Sequence, residues 1–311
     1  MNETRRRVLE ALADGPVAGP ALADDLGVSR NAVWKHVEAL RAAGFEVEST
    51  ADGYALSSVP ESGALALSLG LDAPFEIDYH GTVDSTNRRA RDLAEDGAAD
   101  VAVVADGQTG GRGRLDRSWT SPPGGIYLSA VLRPDRPLAD APLFTLAAAV
   151  ATARTAREAG VDARIKWPND VVVPGDESDY RKLAGILTEL QGEADRIEWT
   201  VVGVGLNADV DAADLPAGAT SVRAERGTVD RRAIVQRLLE SLDDLRRDPD
   251  AVLPAWRDLA LTLGQRVRVE TPDGDVVGEA VAVEHPGALV VATDEGTVSV
   301  SSGDCEHLRP V

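Results

Sequence analysis

Apolar positions recur at helical spacing three times within the first 45 residues. In RRRVLEALAD, Val8, Leu9 and Leu12 share one face before Gly15, and PALADDLG is a short second helix closed by Gly27. SRNAVWKHVEALRAAG then turns Val33, Val37 and Leu40 inward behind a Ser29 cap, with Gly44 at its end. FEVESTADGYAL changes to alternation and turns at Asp52-Gly53, which predicts a two-stranded wing. Residues 1–60 therefore read as a winged helix-turn-helix, whose third helix offers Ser29, Arg30, Asn31 and Lys35, with Arg41 further along, to DNA. A plain three-helix dimerisation domain would carry the same pattern. Nine acids against six bases, with Glu46, Glu48 and Asp52 on the wing, weaken attraction to phosphate.

After a mixed connection at 57–74, residues 75–262 alternate between strand and helix patterns. DSTNRRARDLAEDG is a helix opened by Ser85 or Thr86, VAVVAD and GIYLSAVLRP are strands, and a long helix runs from an Asp140 cap to Gly160. RIKWPNDVVV, KLAGILTEL and RIEWTVVGVGLN read as three strands of an antiparallel meander separated by PGDESDY and QGEAD. The helix TVDRRAIVQRLLESLDDLRRD follows, and WRDLALTLG leads out. Residues 263–311 are short strands with turns at Asp273-Gly274, Pro286-Gly287 and Glu295-Gly296, which predicts a small SH3-like β-barrel. The expected class is α+β, in three domains.

Charge changes this picture. The chain carries 52 acids against 32 bases, a formal net charge of −20, and its lysines are Lys35, Lys166 and Lys182 alone. Such a surface suits a solvent of high ionic strength. Where arginine has served almost everywhere, a surviving lysine marks a place that needs a compact point charge. The single cysteine, Cys305, excludes an internal disulfide framework, and His36, His80, His285 and His307 have no metal-ligand spacing. No metal site is expected on the protein. No signal-peptide core and no membrane-length apolar run occur, so the chain reads as cytoplasmic.

Against this acidic background GQTGGRGRLDRSW, residues 107–119, sets Arg112, Arg114 and Arg117 in a flexible loop between strands. A solvated loop is the bland reading. There is no Walker lysine pattern, and GVGLNA at 203–208 is followed by DVDAADLP where a dinucleotide site needs a helix N-terminus. A glycine-bearing strand end against which a ligand lies is the better reading of that stretch. The loop and the strand-borne Lys166 of RIKWPND suit a carboxylate and a phosphate reacting together, because fixed cations offset the charge that builds when one anion attacks another.

DSTN, GQTGGRGRLDRSW, KWPND, RKLAGILTEL and GVGLN, in this order and at these intervals, resemble biotin–protein ligase, and the N-terminal unit resembles that of the bifunctional form, the biotin operon repressor. The resemblance covers almost the whole chain. It implies a catalytic domain of the class II synthetase-like, mixed-sheet kind. It implies biotin and ATP as substrates with Mg2+, a biotinyl-5′-adenylate intermediate, and transfer to a lysine of a biotin carboxyl carrier protein. Carried over residue by residue, Ser85, Thr86, Asn87 and Gln108 hold biotin's ureido ring, and Arg112, Gly113 and Arg114 close over the adenylate. Lys166 bridges biotin's carboxylate and the α-phosphate and is, with Arg114, the catalytic pair; Asn207 is a nucleotide-side candidate. Trp119 packs over the loop or fills core, and Lys182 reads as a strand-edge charge. The resemblance further implies an operator DNA and a homodimer. Two departures stand out: Asp116 dilutes the loop's charge, and the wing TADGYAL is acidic where such wings commonly carry a base. A lipoate–protein ligase, or a regulator that keeps a ligase domain only as a biotin sensor, are the alternatives.

Overall fold

The computed structural model describes residues 3–175, 180–193 and 195–308, apart from the side chain of Asp116. The segment 176–179, read above as turn, lies outside them. The chain divides into two compact units, Met1–Leu71 and Asp72–Val311.

In the first unit, α1 (Glu3–Ala13), α2 (Gly19–Leu26) and α3 (Arg30–Ala42) enclose Val8, Leu9, Leu12, Val33, Val37 and Leu40, as their spacing predicts. Gly27 ends α2 in the left-handed region (φ 63°), and Ser29 caps α3 by accepting the Ala32 amide at 3.2 Å. The wing is β1 (Glu46–Thr50) paired antiparallel with β2 (Gly53–Ser58). Val17 exchanges both backbone hydrogen bonds with Tyr54 at 2.9 Å, which brings its carbonyl against Gly53. A Cβ there would stand 2.2 Å from that oxygen, so only glycine fits. The connection after the wing is not featureless: it forms α4 (Ala64–Ser68), which contributes Ala66 to the same core.

The second unit is built on a seven-stranded sheet of order β3-β4-β5-β9-β8-β7-β6. Its strands are β3 (Glu76–His80), β4 (Val101–Ala105), β5 (Ile126–Leu132), β6 (Arg164–Lys166), β7 (Asp170–Pro174), β8 (Tyr180–Glu193) and β9 (Arg196–Leu206). Only β3 and β4 are parallel; the other neighbours are antiparallel. The stretch RIKWPNDVVV is therefore two strands, β6 and β7, separated by a tight turn at 167–169 that carries a cis Trp167–Pro168 bond. Strand β3 has no counterpart in the sequence reading.

Because side chains alternate along a strand, the two faces of the sheet serve different purposes. Helix α5 (Thr86–Glu95) packs on β4, β5 and β9 and shares a core of Ala90, Ala94, Val103, Val131, Trp199 and Val201. On the other face Thr145 of α6 (Ala141–Glu158) donates to Thr188 of β8 at 2.8 Å. Helix α6, buried nearly all round, also packs against α8 (Arg231–Arg247) and α9 (Val252–Leu259), with the short α7 (Val222–Arg226) preceding them. WRDLALTLG, read above only as a way out, starts inside a helix, since α9 runs through to Leu259. Asp140 precedes α6 without capping it; its carboxylate is 2.8 Å from Arg136 instead.

The C-terminal strands β10 (Arg266–Thr271), β11 (Gly274–Glu284), β12 (Ala288–Thr293), β13 (Gly296–Val300) and β14 (Asp304–His307) make a five-stranded antiparallel sheet of order β13-β12-β11-β10-β14. Its turns fall where the glycines predict, and Val267, Val269, Val283, Leu289 and Val291 are fully buried. The architecture is a mixed α/β catalytic fold with an N-terminal helix-turn-helix unit and a C-terminal β-sheet.

Candidate active site

Odd-numbered residues of β8 and β9 face α5, and the sequence puts glycine at three of them: Gly185, Gly203 and Gly205. Without side chains the sheet is open there. A cavity of about 550 Å³ lies against this backbone, walled by the N-terminus of α5, the loop at 108–119, the 166–170 turn and β14. Trp119 lies on the glycines: a Cβ on Gly205 would meet its indole at 2.7 Å and one on Gly185 at 3.0 Å. The indole nitrogen is buried without a hydrogen-bond partner among the described residues.

At one end the α5 N-terminus carries Ser85, Thr86 and Asn87, all buried. Ser85 sits at the N-cap, its hydroxyl 3.5 Å from the Arg88 amide. The Gln108 carbonyl oxygen accepts from the Thr86 amide at 2.8 Å and hydroxyl at 3.1 Å, and its Nε2 donates to Ser121 at 3.1 Å. Asn87 is fully occupied: Nδ2 donates to Leu187 O at 3.2 Å and to Glu189 at 2.8 Å, while Oδ1 accepts from Ser129 at 2.7 Å. A satisfied buried amide is a brace that fixes the helix end to the sheet. Ser85, Thr86 and Gln108 are the polar groups this brace presents.

The arginine loop is ordered by its own backbone. Gly113 N donates to Arg117 O at 2.7 Å and Trp119 N to Gly111 O at 2.9 Å, with Leu115 at the tip in the left-handed region (φ 54°) and 73% exposed. Arg114 donates to Asn169 at 3.1 Å and to Gly303 O at 2.9 Å, and Arg117 pairs with Asp304 of β14. Arg112 and Gly113 line the cavity beside them. The C-terminal sheet thus holds the loop at the rim.

Lys166 ends β6 and Lys182 lies on β8, both bordering the cavity. Lys182 is not a bare strand-edge charge: its ammonium is 2.7 Å from Asp170 and 5.3 Å from the Trp119 ring. Lys166 has no carboxylate within 4.0 Å among the described residues; its ammonium sits 5.2 Å over the Tyr180 ring. Burial, and then the Lys166 charge, lower His307 to about 4. Burial raises the Cys305 thiol to about 11, with Lys166 opposing and Asp304 reinforcing the shift.

One residue does not join the others. Asn207, expected on the nucleotide side, is buried outside the cavity and donates from Nδ2 to Thr220 O at 2.9 Å, pinning the chain after β9. Conversely, Asn169, Asp170, Tyr180, Lys182 and Asp304 border the cavity although the sequence reading assigned them no part there. For the first two the KWPND motif was the signal; for Asp304 there was none. Among the described residues no group of three His, Cys, Asp or Glu side chains is placed to hold a metal, and no helix is long and apolar enough to cross a membrane.

In the N-terminal unit Ser29, Arg30, Asn31 and Lys35 are exposed on α3, as is Trp34 at 50%. Arg41 is committed to the fold: it donates to Val47 O at 2.8 Å and pairs with Glu38. Glu46, Glu48 and Asp52 are exposed on the wing.

Residues 81–207 match the Biotin/lipoate A/B protein ligase family, residues 262–308 the Biotin protein ligase C terminal domain, and residues 4–55 an HTH domain. The class is therefore a biotin/lipoate-type ligase domain with a DNA-binding-type unit ahead of it. The bifunctional ligase/repressor BirA of Bacillus subtilis is 38% identical over 93% of both chains, and that of Escherichia coli 28% identical over 94% of both. The biotin--[acetyl-CoA-carboxylase] ligase of Mycobacterium tuberculosis is 35% identical over 75% of this chain and 90% of its own. The biotin protein ligase of Aquifex aeolicus, solved with biotin and ATP, superposes with a TM-score of 0.61 at 28% identity, covering 75% of this chain and 99% of that one. The chain belongs to the BirA family of bifunctional ligase/repressors.

Proposed function

We propose that the protein activates biotin with ATP, transfers it to a lysine of a biotin carboxyl carrier protein, and represses transcription in response to biotin. In the first step a biotin carboxylate oxygen attacks the α-phosphorus of ATP and pyrophosphate leaves. In the second the ε-amine of the carrier lysine attacks the acyl carbon, AMP leaves, and the amine proton passes to solvent. Neither step calls for a covalent enzyme intermediate, so the protein's contribution is placement and charge.

The observation that carries this reading is the pair of unlike ends of one cavity. Neutral hydrogen-bonding groups, Ser85, Thr86 and Gln108, suit the ureido ring, with Asn87 bracing them. Some way along the glycine floor stand the cations Arg112, Arg114 and Lys166, with Gly113 between the arginines. Lys166 bridges the carboxylate and α-phosphate and spreads the charge that accumulates as they join; Arg112 and Arg114 close over the adenylate. Of the carboxylates that line the cavity, Asp170, Asp304 and Glu306 are each paired with a protein cation, which suits a Mg2+ that arrives bound to the nucleotide. Lipoate has no ureido group to engage the neutral end.

The finer architecture is part of the proposal: a class II synthetase-like catalytic domain at 75–262, an SH3-like barrel at 263–311 and a winged helix-turn-helix at 1–60, acting in the cytoplasm. Two-fold operator half-sites call for a homodimer. Arg30, Asn31 and Lys35 face the groove, Ser29 fixes the helix that carries them, and the acidic wing weakens the attraction to the phosphates.

The test is incubation of the full chain with biotin, ATP and Mg2+, following biotinyl-adenylate by mass spectrometry and biotin on a carrier-domain lysine by streptavidin blot. Both products are expected. Labelling with lipoate but not biotin overturns the substrate, and binding of biotin without adenylate leaves only the regulatory sensor.

A further inference from the structure

Lys166 is held in an unusual manner for a buried-site cation. Its ammonium rests over a ring face and, among the described residues, has no carboxylate within 4.0 Å, whereas Lys182, bordering the same cavity, is neutralised by Asp170. That ring belongs to Tyr180, the first residue of β8, and it is itself fixed. The His307 ring meets it edge-on, centroids 5.5 Å apart at 69°. His307 Nε2 lies 3.1 Å from the Thr262 hydroxyl, which also accepts the Trp167 amide at 2.9 Å. With its oxygen accepting from Trp167, the hydroxyl proton is free to point at Nε2. Trp167 is the residue after Lys166, so the contacts close a circuit: Lys166, Trp167, Thr262, His307, Tyr180 and Lys166 again.

We propose that Tyr180 is a positioning residue for Lys166, its ring face carrying the ammonium where two anions meet and His307 holding the ring in place. A carboxylate would also locate the lysine, but it would cancel the positive field and occupy N–H donors that the reacting anions need. A ring face attracts the cation through its quadrupole and leaves its charge uncancelled. The inference rests on the reading of Lys166 given above, and the two separate experimentally.

Biotin-dependent ATP–pyrophosphate exchange is measured on the full chain with position 180 occupied by tyrosine, phenylalanine, leucine, and mono-, di- and trifluorinated phenylalanine. The expected result is that Tyr180→Phe recovers most of the exchange rate, that each added fluorine lowers kcat in turn, and that Tyr180→Leu loses about two- to thirty-fold. A merely structural ring predicts a flat fluorine series, because shape is nearly constant; that result overturns the proposal, as does Tyr180→Leu matching Tyr180→Phe. If Tyr180→Leu does not fold, the fluorine series alone decides. Lys166→Ala runs in parallel: full exchange by that variant overturns the reading of Lys166, while an inactive Lys166→Ala beside a flat series overturns only the role of Tyr180.

Discussion

Lys182 and Asp170 stand 2.7 Å apart on adjoining strands at the cavity, while Lys166 lies over a ring and has no carboxylate within 4.0 Å among the described residues. Two of the three lysines of an arginine-rich chain therefore border one site, and they differ in what they have left to give. The unneutralised one should matter more to a reaction between anions. Lys166→Ala is expected to lower pyrophosphate exchange by about 10²-fold or more, in line with loss of a preorganised transition-state contact. Lys182→Met should cost less than about tenfold. Equal losses would remove the distinction.

The closeness of Gly203 to Asn87 makes a second prediction. A methyl group at 203 would fall 1.9 Å from Asn87 Oδ1, inside any contact distance. Gly203→Ala has to push the brace off Ser129, costing about 1–3 kcal/mol of stability in the manner of an overpacked core. Biotin binding, measured by calorimetry, should weaken at least tenfold. A variant that binds normally would show that the α5 N-terminus moves freely.

Acidification should act through His307. Burial lowers its proton affinity to about 4, below the 6.5 of an exposed imidazole, so between those values the unfolded chain binds more protons than the folded one. Stability present above pH 6.5 is lost as pH falls toward 4. Thermal melts across this window should show a smaller loss for His307→Gln than for the parent chain. Identical pH slopes would mean that the imidazole is protonated in place.

The loop's attachment to β14 is measurable by protease. Arg114 and Arg117 are trypsin sites that Gly303 and Asp304 restrain. Asp304→Asn should speed cleavage at these arginines several-fold, a modest change because Arg117 is largely exposed and a surface pair is worth about 1 kcal/mol or less. Saturating biotin and ATP should protect the loop in both proteins. No change in the rate on substitution would place the restraint in the loop's own backbone.

On the wing, like charge opposes phosphate. Neutralising Glu46, Glu48 and Asp52 together should raise affinity for operator DNA several-fold at low salt and by less as salt screens the repulsion. Gel-shift titrations at two salt concentrations check this, and unchanged affinity would keep the wing away from the duplex.

The helix-turn-helix was legible because its information is local: apolar spacing, a Ser29 cap and glycine stops lie within a few residues of what they control. Motif composition likewise announced the α5 N-terminus, the arginine loop and Lys166, which the chain brings to one cavity. What stayed hidden depends on partners far away in sequence. Arg117 and Asp304 are separated by most of the domain, and nothing near Tyr180 announces that His307 will brace it. GVGLN illustrates the limit of a motif: its glycines form the cavity floor, yet Asn207 turns away to Thr220. In RIKWPNDVVV the apolar run suggested one strand, whereas Pro168 and Asn169 break it in two.

The glycine floor has an evolutionary corollary. Where a pocket is bounded by side chains, a single substitution can enlarge or shrink it. Where it is bounded by bare backbone, every substitution shrinks it, and here the indole of Trp119 and the amide of Asn87 already occupy the nearest space. Acceptance of bulkier biotin analogues is therefore closed to mutation of the floor. It remains open only through the side chains around it, such as Leu187.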